Sequence, residues 1–185
     1  MSHLSGTATL VGTGLIHGQL STNLHLLGIL LSFLLGAVLS GVLISSSTLK
    51  IGRHYDSLLL IEGIVLLVSI FLLEHHTIFG HFSASFCCGL QNAMVTSYSG
   101  AVIRTTHVTG LFTDLGLMLG ARMRGESLDK RKALLFTILV TGFISGGSAG
   151  ALLFSAFGFY ALVAPGGTCL LLAGMYRVYA RNKKE

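Results

Sequence analysis

The chain has 185 residues, of which 52% are hydrophobic and 10% are charged, with a net charge of +5. A soluble domain carries about a quarter charged residues, so the composition excludes a soluble globular protein and predicts an integral membrane protein. The net charge does not indicate nucleic-acid binding, because the basic residues lie at the ends of apolar segments. Cys87, Cys88 and Cys169 lie inside apolar segments without a metal-ligand spacing. We therefore expect neither a disulfide framework nor a metal site.

Five segments are long enough to cross a hydrocarbon core of about 30 Å as helices. They lie near residues 24–46, 57–74, 80–103, 131–153 and 157–177. Two shorter apolar stretches, 5–17 and 109–121, would each cover only about 20 Å as a helix. We therefore predict an all-α bundle of membrane helices, in which the two short stretches are half-helices or re-entrant segments.

A pattern at the start of each short stretch occurs twice in the chain. The first copy is His3-Leu4-Ser5-Gly6 with Thr9 and Gly12, and the second is His107-Val108-Thr109-Gly110 with Thr113 and Gly116. Further along, Gly36 and Gly41 align with Gly142 and Gly147 once two residues are added to the second copy. Internal repeats of this kind are typical of transporters. We predict a single membrane domain over 1–185, with a first repeat at about 1–78 and a second at about 79–180.

The basic residues predict how the repeats lie in the membrane. Positive charge is concentrated in 122–132 and at the C-terminus, which places both in the cytoplasm. In the first copy, Lys50 and Arg53 lie in the loop that connects the two helices of the corresponding hairpin. Glu74 lies at the end of this hairpin that is farthest from the loop. These charges require that the second short stretch does not cross the membrane. We therefore expect two inverted repeats, each with three spanning helices and one half-helix when complete.

Residues of the second repeat resemble a known family. The stretches Gly89-Leu90-Gln91-Asn92-Ala93, Arg104-Thr105-Thr106-His107-Val108-Thr109-Gly110 and Thr113-Asp114-Leu115-Gly116 are similar to the motif series of the YoaK-like multi-pass bacterial membrane proteins, a domain of unknown function. The resemblance implies a polytopic protein of the bacterial inner membrane, and it brings no established substrate. The family normally has one more helix before its first motif, whereas this chain begins at the motif.

The two motifs have a physical interpretation as helix starts. Ser5 and Thr109 are good N-cap residues, and Gly6 and Gly110 allow close backbone approach. Backbone amides at a helix start carry partial positive charge and can hold an anion or a polar solute. Inside the membrane, backbone N–H and C=O groups without a partner in a helix are tolerated only where protein or water contacts them. The motifs therefore mark either a polar cavity or a tight helix junction.

The candidate site combines these motifs with polar residues inside apolar segments. An ionisable group inside a membrane segment is a functional candidate. Asp114 is the stronger candidate of this kind. Glu62 is the weaker one, because its carboxyl has a structural alternative, a hydrogen bond to a neighbouring helix. The predicted central site consists of His3, Ser5, Gly6, Thr9, Gln91, Asn92, Thr106, His107, Thr109, Gly110, Thr113 and Asp114. The sequence contains no recognisable hydrolase or nucleotide motif, so we expect neither enzymatic activity nor a cofactor.

Two functions remain open at this stage. The first is a small-solute transporter or channel with its polar site between the half-helices. The second is a non-transporting subunit of a larger membrane complex. Because the first repeat lacks a counterpart of segment 80–103, we expect lipid, a partner subunit or a second copy to cover the exposed face of residues 5–46.

Overall fold

The computed structural model describes residues 4–18, 20–44, 55–98 and 107–182. This part of the chain is helical and contains no strand, which confirms the predicted all-α class. The helices are α1 (Leu4–Ile16), α2 (Leu20–Leu43), α3 (Tyr55–Glu74), α4 (Ile78–Tyr98), α5 (Val108–Met123), α6 (Lys130–Phe157) and α7 (Val163–Asn182), with a 3₁₀ turn at Gly158–Leu162 between the last two.

The apolar character of these helices fits a membrane protein. Among the described residues, three helical runs are long and apolar enough to cross a bilayer: Leu20–Leu43, Tyr55–Glu74 and Lys130–Tyr179. The last run contains α6 and α7 as far as Tyr179, and the two helices are separated by a turn at Gly158 with a φ of 57°. The short helices α1 and α5 have 13 and 16 residues. At about 1.5 Å per residue, both are shorter than the hydrocarbon core of about 30 Å.

The centre of the fold is the packing of α4 against α2 and α3, while α3 also packs against α7 and α1 lies along α2. Leu58 of α3 and Leu90 of α4 are fully buried between these helices. The Tyr55 hydroxyl donates a hydrogen bond to the Met94 carbonyl at 3.3 Å. The Ser85 hydroxyl of α4 donates to the Ile29 carbonyl of α2 at 2.9 Å. Polar bonds therefore fix α4 to both of its neighbours.

Two glycines allow α2 and α4 to approach closely. A Cβ added at Gly36 would collide with the Phe86 carbonyl of α4, and one added at Gly89 would collide with the Phe33 carbonyl of α2. Backbone meets backbone at this crossing, so any side chain there would push the helices apart. Small residues at a helix crossing are a common basis of packing in lipid.

The short helix α5 packs along α6 through the buried residues Leu111, Phe136 and Val140. The turn between these helices ends at Asp129, whose carboxylate accepts hydrogen bonds from the backbone amides of Arg131 and Lys132 at 3.1 Å each. An aspartate cap of this kind stabilises the start of α6.

The face of α6 that carries Gly142, Gly146 and Gly150 is open. A Cβ added at any of these glycines would meet nothing within 4 Å among the described residues. The expected uncovered face on residues 5–46 stays a prediction, and apolar side chains of that segment, including Leu31, Leu35 and Val42, are exposed among the described residues. α4 covers the part of α2 that carries Gly36, whereas a Cβ added at Gly41 of α2 would also meet nothing within 4 Å among the described residues.

Candidate functional site

The candidate site is a groove of about 970 Å³ at the first turns of α1 and α5. α2, α4 and α6 complete its walls. The groove is lined by Leu4, Ser5, Phe33, Ala37, Gly89, Asn92, Ala93, Thr96, Ser97, His107, Val108, Thr109, Phe112, Thr113 and Phe143. The starts of the two half-helices, which lie far apart in the sequence, therefore share one concave surface.

Several of the residues predicted to form the site do line this groove. They are Ser5, Asn92, His107, Thr109 and Thr113. Ser5 comes from the first motif, Asn92 from the middle of α4, and the remaining three from the second motif. Hydroxyl, amide and imidazole groups from three helices can thus reach the same bound molecule.

Other predicted site residues lie elsewhere. Gly6, Thr9, Gln91, Gly110 and Asp114 are not among the groove-lining residues, and each of them is exposed on its helix. The groove-lining residues of α4 share one face of the helix, and Gln91 lies on the opposite face; they are Gly89, Asn92, Ala93, Thr96 and Ser97. Asp114 likewise lies on the face of α5 opposite to its groove-lining residues, which are Val108, Thr109, Phe112 and Thr113. His3 and Thr106 lie outside the described residues.

The caps of the half-helices differ from the prediction. Ser5 and Thr109 lie inside the first turns of α1 and α5, and the N-cap of α5 is His107, whose side chain makes no capping hydrogen bond. The carbonyls of Ser5 and Thr109 instead accept hydrogen bonds at 3.0 Å from the hydroxyls of Thr9 and Thr113, one turn further along each helix. Thr9 and Thr113 therefore bond to backbone in the same way in both motifs.

One wall of the groove was not among the predicted site residues. Gly89, Ala93 and Thr96 lie on the same face of α4 as Asn92, at the spacings that bring residues together on a helix. This spacing is a signal that the sequence contains. The aromatic residues Phe33, Phe112 and Phe143 also line the groove, and nothing in the sequence distinguishes them from lipid-facing phenylalanines.

The chemistry of the groove is mostly apolar with a few polar groups. None of the described residues that line it is Asp, Glu, Lys or Arg, and His107 is the titratable member. Within the described residues, no group of three or more His, Cys, Asp or Glu side chains is placed to hold a metal ion. Helix-start amides and hydroxyls are donors suited to a small polar or anionic molecule.

Comparison with known proteins identifies the family of the chain. A family model with the description "Protein of unknown function (DUF1275)" matches residues 1–175. The chain belongs to the DUF1275 family. No curated protein and no solved structure matches the chain. The match extends over both motifs and all of the groove-lining residues, so the groove belongs to the part of the chain that defines DUF1275 membership.

Proposed function

We propose that this DUF1275 protein is a small-solute transporter or channel whose polar site is the groove between the two half-helices. The observation that carries the proposal is that Ser5 and Thr109, from the first turns of α1 and α5, line one groove together with Asn92 of α4. Short helices that begin at a shared polar site inside a membrane bundle are a recurrent feature of secondary transporters. The distribution of basic residues supports a cytoplasmic C-terminus, and the resemblance to the YoaK-like proteins implies the bacterial inner membrane.

The composition of the groove narrows the class of solute. With no carboxylate among the described lining residues, the groove offers little to a cation. Partial positive charge at the helix starts and the Asn92 amide favour a small neutral polar solute or a small anion. Phe33, Phe112 and Phe143 provide apolar contact for the remainder of the molecule.

A transport assay in liposomes tests the proposal with named solutes. The full chain is reconstituted, and uptake of urea, glycerol, formate and nitrate is followed by osmotic light scattering. The double variant Ser5→Leu and Thr109→Leu fills the groove with apolar volume and should reduce the uptake rate of the transported solute to that of empty liposomes. Thr168→Leu is the matched control, because Thr168 is an exposed threonine of α7 outside the groove.

Two outcomes would contradict the transporter proposal. One is uptake by wild-type liposomes at the rate of empty liposomes for every solute, with folded protein present. The other is faster uptake that is unchanged in the double variant, which would place the pathway away from the groove.

A second candidate function is a non-transporting subunit of a membrane complex, and the open glycine face of α6 favours it. Gly142 aligns with Gly36 in the repeat alignment, and Gly36 is already in contact with α4. The spacing of Gly142, Gly146 and Gly150 is that of a helix-association stripe. A helix from a partner subunit or from a second copy would fit there as α4 fits on α2. Loss of a native-membrane complex in Gly146→Leu, with the groove double variant unaffected, would favour this function.

A further inference from the structure

A buried carboxyl group lies away from the groove, in the membrane-spanning helix α3. Glu62 is 2% exposed. Its neighbour Gly63 marks the crossing of α3 and α7, because a Cβ there would lie 3.0 Å from the Gly166 carbonyl. On its other side, α3 packs against α4. Glu62 is therefore enclosed where three helices meet.

The polar neighbours of Glu62 are thiols. The Cys169 thiol of α7 interacts with the Glu62 carboxyl. The Cys87 thiol of α4 donates a weak hydrogen bond to the Glu62 backbone carbonyl at 3.7 Å. The second carboxyl oxygen, Oε2, is buried and has no hydrogen-bond partner in the described part of the chain. One oxygen of the carboxyl is thus buried without a hydrogen bond from any described residue.

Among the residues that the structure describes, no cation pairs with this carboxyl. The ion pairs of the described residues join Arg124 to Glu126 and Arg177 to Asp56, and neither involves Glu62. Cys87, Cys88 and Cys169, the titratable groups that act on Glu62 from α4 and α7, are themselves neutral or negative. A carboxylate buried without a cation or water is costly, so such groups become neutral or bind a positive ligand.

We propose that Glu62 is a proton-binding site in the membrane, where the carboxyl holds its proton as the uncharged acid between α3, α4 and α7. A proton is the positive ligand that fits, because the carboxyl is enclosed and its neighbouring donors are thiols rather than the oxygen ligands that alkali and alkaline-earth cations require. The proton on Glu62 removes the uncompensated charge from the junction. This proposal does not depend on whether the groove carries a solute.

Infrared spectroscopy of the full chain in lipid tests the protonation directly. A protonated carboxyl has a carbonyl stretching band that an ionised carboxylate lacks, and ¹³C-glutamate labelling assigns that band to glutamate. At pH 7 the wild type should show the band, Glu62→Gln should lose it, and Glu74→Gln should keep it. Glu74 is the matched control because it lies at the exposed end of the same helix. Absence of the band from folded wild type would overturn the proposal.

Carbodiimide labelling provides a second test that needs no variant. A protonated carboxyl adds across one C=N bond of dicyclohexylcarbodiimide to give an O-acylisourea. This adduct rearranges to a stable N-acylurea that retains every atom of both reactants. Peptide mass spectrometry of labelled wild type should place this lipid-soluble reagent on Glu62. A water-soluble carbodiimide should label Glu74 instead.

Two labelling results would count against the proposal. Labelling of Glu74 alone by the lipid-soluble reagent would show that Glu62 is not a protonated group. Protection of Glu62 by sodium chloride but not by choline chloride would show that a metal cation, rather than a proton, occupies the site.

Discussion

Ser5 and Thr109 line the same groove, and the carbonyl of each accepts a hydrogen bond at 3.0 Å from a threonine one turn later. The two residues occupy the same place in the two copies of the sequence motif. Equal positions at one surface are what two repeats facing each other would produce. The relationship also allows a test of the groove's accessibility to water, because Ser5 and Thr109 should respond alike to the same chemical probe.

The first prediction is that both residues are accessible to water. Ser5→Cys and Thr109→Cys should each react with a charged, membrane-impermeant thiol reagent, with the adduct located by peptide mass spectrometry. Two controls should stay unreactive: Leu58→Cys, which is fully buried, and Leu171→Cys, which is an exposed apolar position of α7 suited to lipid. If neither groove cysteine reacts, the motifs form a dry helix junction and the transporter proposal fails.

Much of the helical layout could be predicted from the sequence. The predicted segment 57–74 corresponds to α3 at Tyr55–Glu74, and the predicted half-helix 109–121 corresponds to α5 at Val108–Met123. α6 continues to Phe157 rather than ending at 153, because the chain turns only at Gly158, where φ is positive. Segment length and hydropathy predict these helices because, in this all-α chain, only a helix satisfies the backbone hydrogen bonds of a segment within lipid.

Which face of each helix turns inward could not be predicted in the same way. In a soluble protein, polar residues mark the outer face of a helix, but in a membrane both the lipid and the core contact apolar side chains. Gln91 and Asn92 are adjacent in sequence, yet Asn92 lines the groove and Gln91 does not. The repeated motif identified Ser5 and Thr109, whereas Phe143 required the three-dimensional fold.

The second prediction concerns orientation. A cysteine at Ser127, in the exposed loop before α6, should react with an impermeant reagent only from the cytoplasmic side, because 122–132 carries the basic residues. A cysteine at His75, which is exposed at the end of α3, should react only from the outside. Labelling of intact cells against inverted vesicles separates the two sides. External reaction at Ser127 would reject the inverted arrangement of the repeats.

The third prediction concerns the cap of α6. Asp129→Ala removes the acceptor for the Arg131 and Lys132 amides, and it should lower the free energy of unfolding by about 1 kcal/mol. Asp129→Asn keeps an acceptor oxygen and should cost less. Thermal unfolding in detergent measures both variants. Equal losses for the two would show that the negative charge, rather than the hydrogen bonds, stabilises the helix start.

The last prediction compares two aligned glycines whose surroundings differ. Gly36→Ala introduces a methyl group that collides with the Phe86 carbonyl, so the helices must separate, and the expected loss is about 1–3 kcal/mol. Gly142→Ala adds a methyl group to an open face, where the higher helix propensity of alanine should leave stability unchanged or raise it by up to about 1 kcal/mol. The thermal unfolding temperature of the purified chain should therefore fall for Gly36→Ala and stay the same or rise for Gly142→Ala. A loss at Gly142 as large as that at Gly36 would mean that the α6 face is already occupied in the purified protein, and chemical cross-linking of the same sample would then identify a second copy as the occupant.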